Sequence, residues 1–334
     1  MSGDVIVTVT LNAALHVAYT TGDPLPPDGA EGITPLSRPA YRAGGRGVTV
    51  ARVLRAFGHD VLAAGLVGGA SGELIVQDLA RSGVPTGFTL IRGESRRFFR
   101  FARPDGPIQR FSEPGPYITT EELGRFAADY RRLMAGAAAV VLCGSLPDSL
   151  DADTYGSLVT YAVEAGVPVI LDAGGEELKY AVGHGPDLVV AETSTETSTG
   201  TSTETSTGTR TETGAGELGA TLVRLGAGAA AVTAGGVVSA VTADGEWTAQ
   251  VEGPPSAPGF ASARGALVAG LVPGQLLGWS WPDRLRHALA LAAGGAGTWT
   301  REPGDAVERD RVDLAAYERL LDAVRIEPRG YFKE

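Results

Sequence analysis

The chain has 334 residues, 43% hydrophobic and 20% charged, which is ample material for a sizeable buried core. Its net charge of -11 excludes a nucleic-acid surface, which needs clustered Lys and Arg against phosphate, although one local basic pocket is enough for a small anion. The single cysteine, Cys143, excludes a disulfide framework and suits a reducing compartment.

Residues 1–15 lack the basic start and continuous apolar stretch of a secretory peptide. No run approaches the roughly 18 apolar residues of a membrane span, so the expected location is cytoplasmic, with no membrane partner. Lysine occurs only at Lys179 and Lys333 while arginine is plentiful, a compositional bias that weakens any single Lys-to-Arg comparison.

In chain order, the β-branched run Val5–Thr10 predicts a strand, followed by a Pro- and Gly-rich stretch to residue 41. Ala43-Gly44-Gly45-Arg46-Gly47 then opens a helical pattern, with apolar Val48, Ala51, Val53, Leu54 and Phe57 and a stop at Gly58. A strand over Val61–Val67 and a helix over Gly72–Ser82 follow. Alternating extended pieces occupy residues 88–91 and 97–101. Thr119/Thr120 with Glu121/Glu122 predicts a helix N-terminus, and the helix runs to about Met134. Ala138–Leu142 and Val167–Leu171 read as buried strands around a helix over Ala152–Gly166. Continuous apolar strands separated by helices predict a mainly parallel sheet covered on both faces. The extended pieces at about 14–42 and 88–113 do not fit that core and suit a small separate sheet.

Residues 193–214 repeat the octet Thr-Ser-Thr-Glu-Thr-Ser-Thr-Gly twice and then decay. Without aliphatic or aromatic residues they cannot offset their ordering entropy, and they read as a disordered insertion. Beyond them, strands are predicted over Ala229–Thr233 and Val237–Thr242 with a turn at Asp244-Gly245. Helices are predicted over Ala263–Leu277 (irregular at Pro273), Arg284–Ala293 and Asp313–Val324.

The motifs, taken together and in order, resemble the PfkB/ribokinase family of carbohydrate kinases, most nearly its 1-phosphofructokinase and tagatose-6-phosphate kinase branch. VTVTLNAAL is similar to "TVTLNPALD", AGGRGVTVARVLRAFG to "AGGKGINVARVLARLG", ESRRFF to "ETRINV", SEPGP to "NEPGP", CGSLPDSL to "SGSLPPGL" and LDAGGEELK to "LDTSGEALK". The resemblance covers nearly the whole chain apart from the repeat. It implies one ribokinase-like domain over 1–334, an α/β fold forming a three-layer α/β/α sandwich with a small β lid. It also implies ATP with Mg2+, phosphoryl transfer to a sugar-phosphate hydroxyl, and a homodimer through paired lids. Carried over by position, Asn12, His16, Gly44, Gly45, Arg46, Thr49, Arg96, Glu113 and Ser145 would line the sugar-phosphate pocket. Arg96 would grip the phosphate. Glu192, Thr233, Gly235, Ser262, Ala263, Arg264 and Gly265 would fall on the nucleotide and phosphate side.

Several positions depart from the family pattern. Its "GAGDSFVAGFL" signature, whose aspartate takes the proton from the attacking hydroxyl, reads Ser262-Ala263-Arg264-Gly265-Ala266-Leu267-Val268-Ala269-Gly270-Leu271 here. Gly265 stands at the base position, and no Asp or Glu lies between Glu252 and Asp283. His16 replaces a sugar-holding aspartate, Thr49 an asparagine and Arg46 a lysine. The "KPNxxE" segment reads Val190-Ala191-Glu192-Thr193-Ser194-Thr195, and "SLGxxG" is reduced to Thr233-Ala234-Gly235-Gly236. Arg264 is an addition, expected either to hold a phosphate in place of magnesium or to face water. Three readings follow. One is a non-catalytic member that binds a sugar phosphate or nucleotide, or serves as a partner protein. Another is a working kinase with His16 or a partner's residue as base. The third is a decaying gene product without ligand. The combined loss of the base and the magnesium-organising residues favours the first.

Overall fold

The computed structural model describes residues 5–20, 36–102, 108–193, 212–251, 263–294 and 314–329. The β-branched run at the start forms β1 (Val5–Thr10), an interior strand of a ten-stranded sheet. On one side β1 pairs with β4 (Val61–Gly68) and then β5 (Thr86–Ile91). On the other it pairs with β8 (Ala137–Cys143), followed by β9 (Val169–Asp172), β10 (Leu188–Glu192) and β11 (Ala229–Ala234). All these pairings are parallel. The sheet continues antiparallel through β12 (Val237–Thr242), β13 (Glu246–Val251) and β14 (Val324–Pro328).

Alternation along each parallel strand feeds two separate cores, one on each face. In β8, Ala139, Val141 and Cys143 point to one core and Val140 and Leu142 to the other. The first core is closed by α1 (Arg46–Ala56), α2 (Gly69–Arg81), α7 (Arg264–Leu277) and α8 (Trp281–Ala293), with α9 (Leu314–Ala323) packed on α8. The second is closed by α3 (Thr120–Met134), α4 (Thr154–Glu164), α5 (Gly175–Ala181) and α6 (Glu212–Leu225). The expected three layers are present. The predicted helix start at 119–122 is a full capping box: Thr119 Oγ1 accepts from Glu122 N at 3.2 Å, and Glu122 Oε2 accepts from Thr119 N at 2.9 Å. No helix among the described residues is long and apolar enough to cross a membrane.

The small lid is a separate four-stranded sheet in the order β3 (Ala40–Gly44), β2 (Ala14–Thr20), β6 (Arg96–Ala102) and β7 (Gln109–Ser112). Two boundaries move. Residues 88–91, expected in the lid, belong to β5 on the edge of the large sheet. Their alternation reflects an edge strand with one open side, where Thr89 is buried and Leu90 exposed. The low-complexity stretch, expected to run to 214, ends earlier, because α6 begins at Glu212; residues 194–211 lie outside the described residues. The final predicted helix gives up Val324, which opens β14.

Candidate functional site

The parallel strands β1, β8, β9, β10 and β11 all end at one rim, the usual place for a ligand in such sheets. A cavity of about 370 Å³ opens there between the large sheet and the lid. From the end of β1 come Thr10 and Asn12, from the lid His16, Arg96, Phe98 and Ser112, and from the loop after β8 Gly144 and Ser145. Gly45, Arg46 and Thr49 arrive at the start of α1, and Gly265 at the start of α7. Neither helix has a side-chain N-cap, so both leave backbone N–H groups unsatisfied at this rim, where an anion is favoured. Gly45 is required by its backbone: φ is 121°, and a Cβ there would meet Thr10 Cγ2 at 2.7 Å.

The lid end of the cavity keeps spare hydrogen-bonding capacity. Asn12 Nδ2 donates to the Leu146 carbonyl at 3.2 Å, while its buried Oδ1 has no partner. Arg96 donates through Nε to the Asn12 carbonyl at 3.3 Å and through a terminal nitrogen to Ser112 Oγ at 3.5 Å. Among the described residues it makes no ion pair, and burial lowers its pKa from the usual arginine value. His16 packs against Phe98, with ring centroids 5.1 Å apart, and its imidazole covers the space that a side chain at Gly44 would need. Burial, then the nearby Arg42, Arg96 and Arg52, lower its pKa to about 4, so it is neutral at pH 7.

At the other, inner end only Arg46 of a charged cluster lines the cavity, and behind it the charges are consumed within the chain. Asp172, at the end of β9, is fully buried. Its Oδ1 accepts from Arg46 at 3.2 Å and forms an ion pair with Arg264 at 2.6 Å. Arg264 also reaches Glu192 Oε2 at 3.3 Å and the Val190 carbonyl at 2.9 Å. The expectation that Arg264 faces water is therefore corrected: it is 9% exposed and paired to carboxylates. Burial opposes the charge on Arg46, but Asp172, with smaller help from Cys143, Tyr155 and Glu192, outweighs it and raises the pKa.

Gly265 sits where a base was sought, and Thr49 explains more than its identity suggested. A Cβ at residue 265 would lie 2.8 Å from Thr49 Cγ2 and 3.4 Å from the Arg46 carbonyl oxygen. The β-branched side chain on α1 thus fills the room a carboxylate on α7 would use.

Other expected residues fall elsewhere. Glu113 is not among the cavity residues; it accepts from the Arg97 side chain at 2.7 Å and the Arg97 backbone at 2.9 Å. Thr233 is buried, paired in register with Glu192, and its carbonyl accepts from Thr193 N. Gly235 forms a two-residue hairpin turn with Gly236, at φ 57° and 95°, which accounts for both glycines without a ligand. Ala263 is the N-cap residue of α7, and Ser262 lies outside the described residues. Thr10, Phe98, Ser112 and Gly144 line the cavity but were missed. All four lie inside the quoted motifs, VTVTLNAAL, ESRRFF, SEPGP and CGSLPDSL, although nothing in the sequence marks Phe98 off from its aromatic neighbours.

Magnesium, implied here by the motifs, does not fit these residues. The carboxylates nearest the cavity's inner end are engaged by arginine, and no cluster of three or more His, Cys, Asp or Glu among the described residues is arranged to hold a metal.

The profile of the pfkB family of carbohydrate kinases matches residues 17–294. A tagatose-6-phosphate kinase from Staphylococcus epidermidis is 33% identical over 174 residues, 52% of this chain and 54% of that protein, so the match spans about half of each. Among solved structures, a Thermotoga maritima protein described as a possible 1-phosphofructokinase has a TM-score of 0.78 at 22% identity, covering 98% of this chain and 100% of that one. Phosphofructokinase-2 from Escherichia coli in complex with fructose-6-phosphate has a TM-score of 0.73 at 22% identity, covering 95% and 98%. Kinases of this family use ATP, usually with Mg2+. With a matching profile over most of its length and the ribokinase-like fold throughout, the chain belongs to the pfkB family of carbohydrate kinases, near its 1-phosphofructokinase and tagatose-6-phosphate kinase branch.

Proposed function

We propose that this chain binds a hexose phosphate and has lost most or all phosphoryl transfer. One observation carries the reading: among the described residues no carboxylate lines the cavity, and Gly265, which aligns with the family base, forms part of its wall. A positioned general base supplies about 10²–10⁴ in rate. The rest of phosphoryl transfer depends on positioned cations and phosphates, and at the inner end both carboxylates, Asp172 and Glu192, are already paired to arginine. Phosphate recognition is supported by Arg96, whose recorded partners are neutral, by the two helix N-termini and by the spare acceptor on Asn12.

A working kinase based on His16 is the competing reading, because His16 does line the cavity. Its depressed basicity argues against it: an imidazole with pKa about 4 is unprotonated but a poor proton acceptor. Calorimetric titration with fructose 6-phosphate, fructose 1-phosphate and ATP, alongside a coupled turnover assay, separates the two. Sugar-phosphate binding without turnover is expected. Turnover at the roughly 1–100 per second of ordinary kinases, abolished by His16→Gln, would establish the competing reading. Binding of no ligand would point to a decaying protein.

The reading includes self-association through the lid, whose outer strands expose Tyr41 (46%) and Phe111 (54%). Sedimentation velocity returning a monomer at all concentrations ends that part of it.

A further inference from the structure

Arg264 is oddly placed for a surface-compatible cation. It is the first residue of α7, where a positive charge opposes the helix dipole, and it is almost wholly buried. Such a position is stable only when anions compensate it, and two do. Asp172 ends β9 and Glu192 ends β10, and the guanidinium spans the gap between these neighbouring strand ends. Its NH2 group also donates to the Val190 carbonyl, which fixes the plane of the fork. Asp172 is fully buried and one of its oxygens, Oδ2, has no partner, so the carboxylate has coordinating capacity that the arginines leave unused.

Two strand-end carboxylates facing a helix N-terminus make a site of −2 charge. Magnesium at such a place is held by one or two carboxylates together with waters and ligand phosphates, at about 2.0–2.1 Å. The guanidinium takes both carboxylates out of that reach. With Arg46 on the same Asp172 oxygen, the four side chains sum to zero charge. A divalent ion entering there would be repelled by two fixed cations and would find Asp172 Oδ1 and Glu192 Oε2 already taken by guanidinium groups, with Asp172 Oδ2 left as the open oxygen of that carboxylate.

We propose that Arg264 is a built-in replacement for the divalent cation: it supplies the positive charge at the inner end of the pocket, locks Asp172 and Glu192 together, and excludes a metal from between them. Arg264 is thereby a residue that sets cofactor specificity rather than one that touches a ligand. The proposal concerns metal binding by the folded chain and stands apart from whether a sugar phosphate binds.

Mn2+ is the probe, followed by the electron paramagnetic resonance signal of the free ion and by thermal melts of the full chain. Wild type is expected to leave the free Mn2+ signal unchanged and to melt at the same temperature in EDTA and in MnCl2. Arg264→Met is expected to melt lower in EDTA by roughly 5–10 °C. It should then bind Mn2+ and recover part of the loss, since a ligand of the native state stabilises it by mass action. Adding Glu192→Gln to Arg264→Met should abolish the uptake, and Arg264→Lys should behave as wild type. Mn2+ binding by wild type that Glu192→Gln removes overturns the proposal. So does a folded Arg264→Met that takes up no Mn2+. If Arg264→Met is unfolded in EDTA, recovery of its near-ultraviolet circular dichroism in MnCl2 supports the replacement, and no recovery counts against it.

Discussion

At the lid end of the pocket, Arg96 meets only a carbonyl and a hydroxyl among the described residues, and Asn12 keeps an acceptor with no partner there. At the inner end, Arg46 and Arg264 are drawn onto Asp172 and Glu192, and the charges close on themselves. Both ends lie on the same sheet rim and both are built from arginine. The difference is whether the chain itself provides the counter-charge. Where it does not, an anionic ligand must, and the group is poised for binding. Where it does, the group has become part of the structure.

The sharpest way to break this contrast is Asp172→Asn. It strips the anion from two buried or half-buried arginines and is expected to reduce stability by about 3–5 kcal/mol, measured by urea unfolding. If the inner end were a ligand site instead, the loss would be small. Arg96→Ala tests the other end. Hydrogen bonds to charged groups are worth about 1.5–3 kcal/mol, so affinity for a sugar phosphate should fall roughly 10–150-fold while unfolding changes little. Equal loss of stability in Arg96→Ala would remove the distinction between the two ends.

Gly265→Asp asks whether the inner end can be reopened. Forced against Thr49 Cγ2, the new side chain should destabilise by about 1–3 kcal/mol and restore no activity alone. Thr49→Gly with Gly265→Asp removes both close contacts, Cγ2 at 2.8 Å and Cβ at 2.9 Å, and should relieve that overlap. Activity should stay silent while Arg264 holds Asp172 and Glu192, as a coupled assay of the double variant will show.

The smallest effect is that of pH. His16 and His287 both have pKa values lowered to about 4, first by burial, against about 6.5 unfolded. The unfolded chain therefore binds more protons between these values, and stability rises with pH there. It is fully present above about pH 6.5 and is lost as pH falls towards 4, by on the order of 1–2 kcal/mol per histidine after solvent screening. Chemical denaturation at pH 7 and pH 4.5 measures the slope, and His16→Gln should remove about half of it.

Much of the lid end was legible in the sequence. Asn12, Gly45, Arg46, Arg96 and Ser145 were placed by motif order, and they converge on one cavity. Glu113 lies outside the cavity lining, because its motif fixes only its position in the chain. Its orientation is set by Arg97, on the neighbouring strand β6. The antiparallel strands β13 and β14 escaped prediction for a similar reason, since short mixed segments such as Glu246–Val251 become strands only through the neighbour they pair with.

The sequence by itself determined the alternation of apolar strands and helices, the glycine-rich helix start at 44–47 and the absence of an acid near residue 265. These are local properties: hydrophobic period, backbone freedom and residue identity. The fate of Arg264 was decided only in three dimensions. Its partners Asp172 and Glu192 stand 92 and 72 positions away and come within reach because parallel strands end at a common rim. A long side chain at a helix start reads as solvent-facing until the fold brings carboxylates to it. In a buried place, the free energy of an unpaired charge then makes that pairing obligatory.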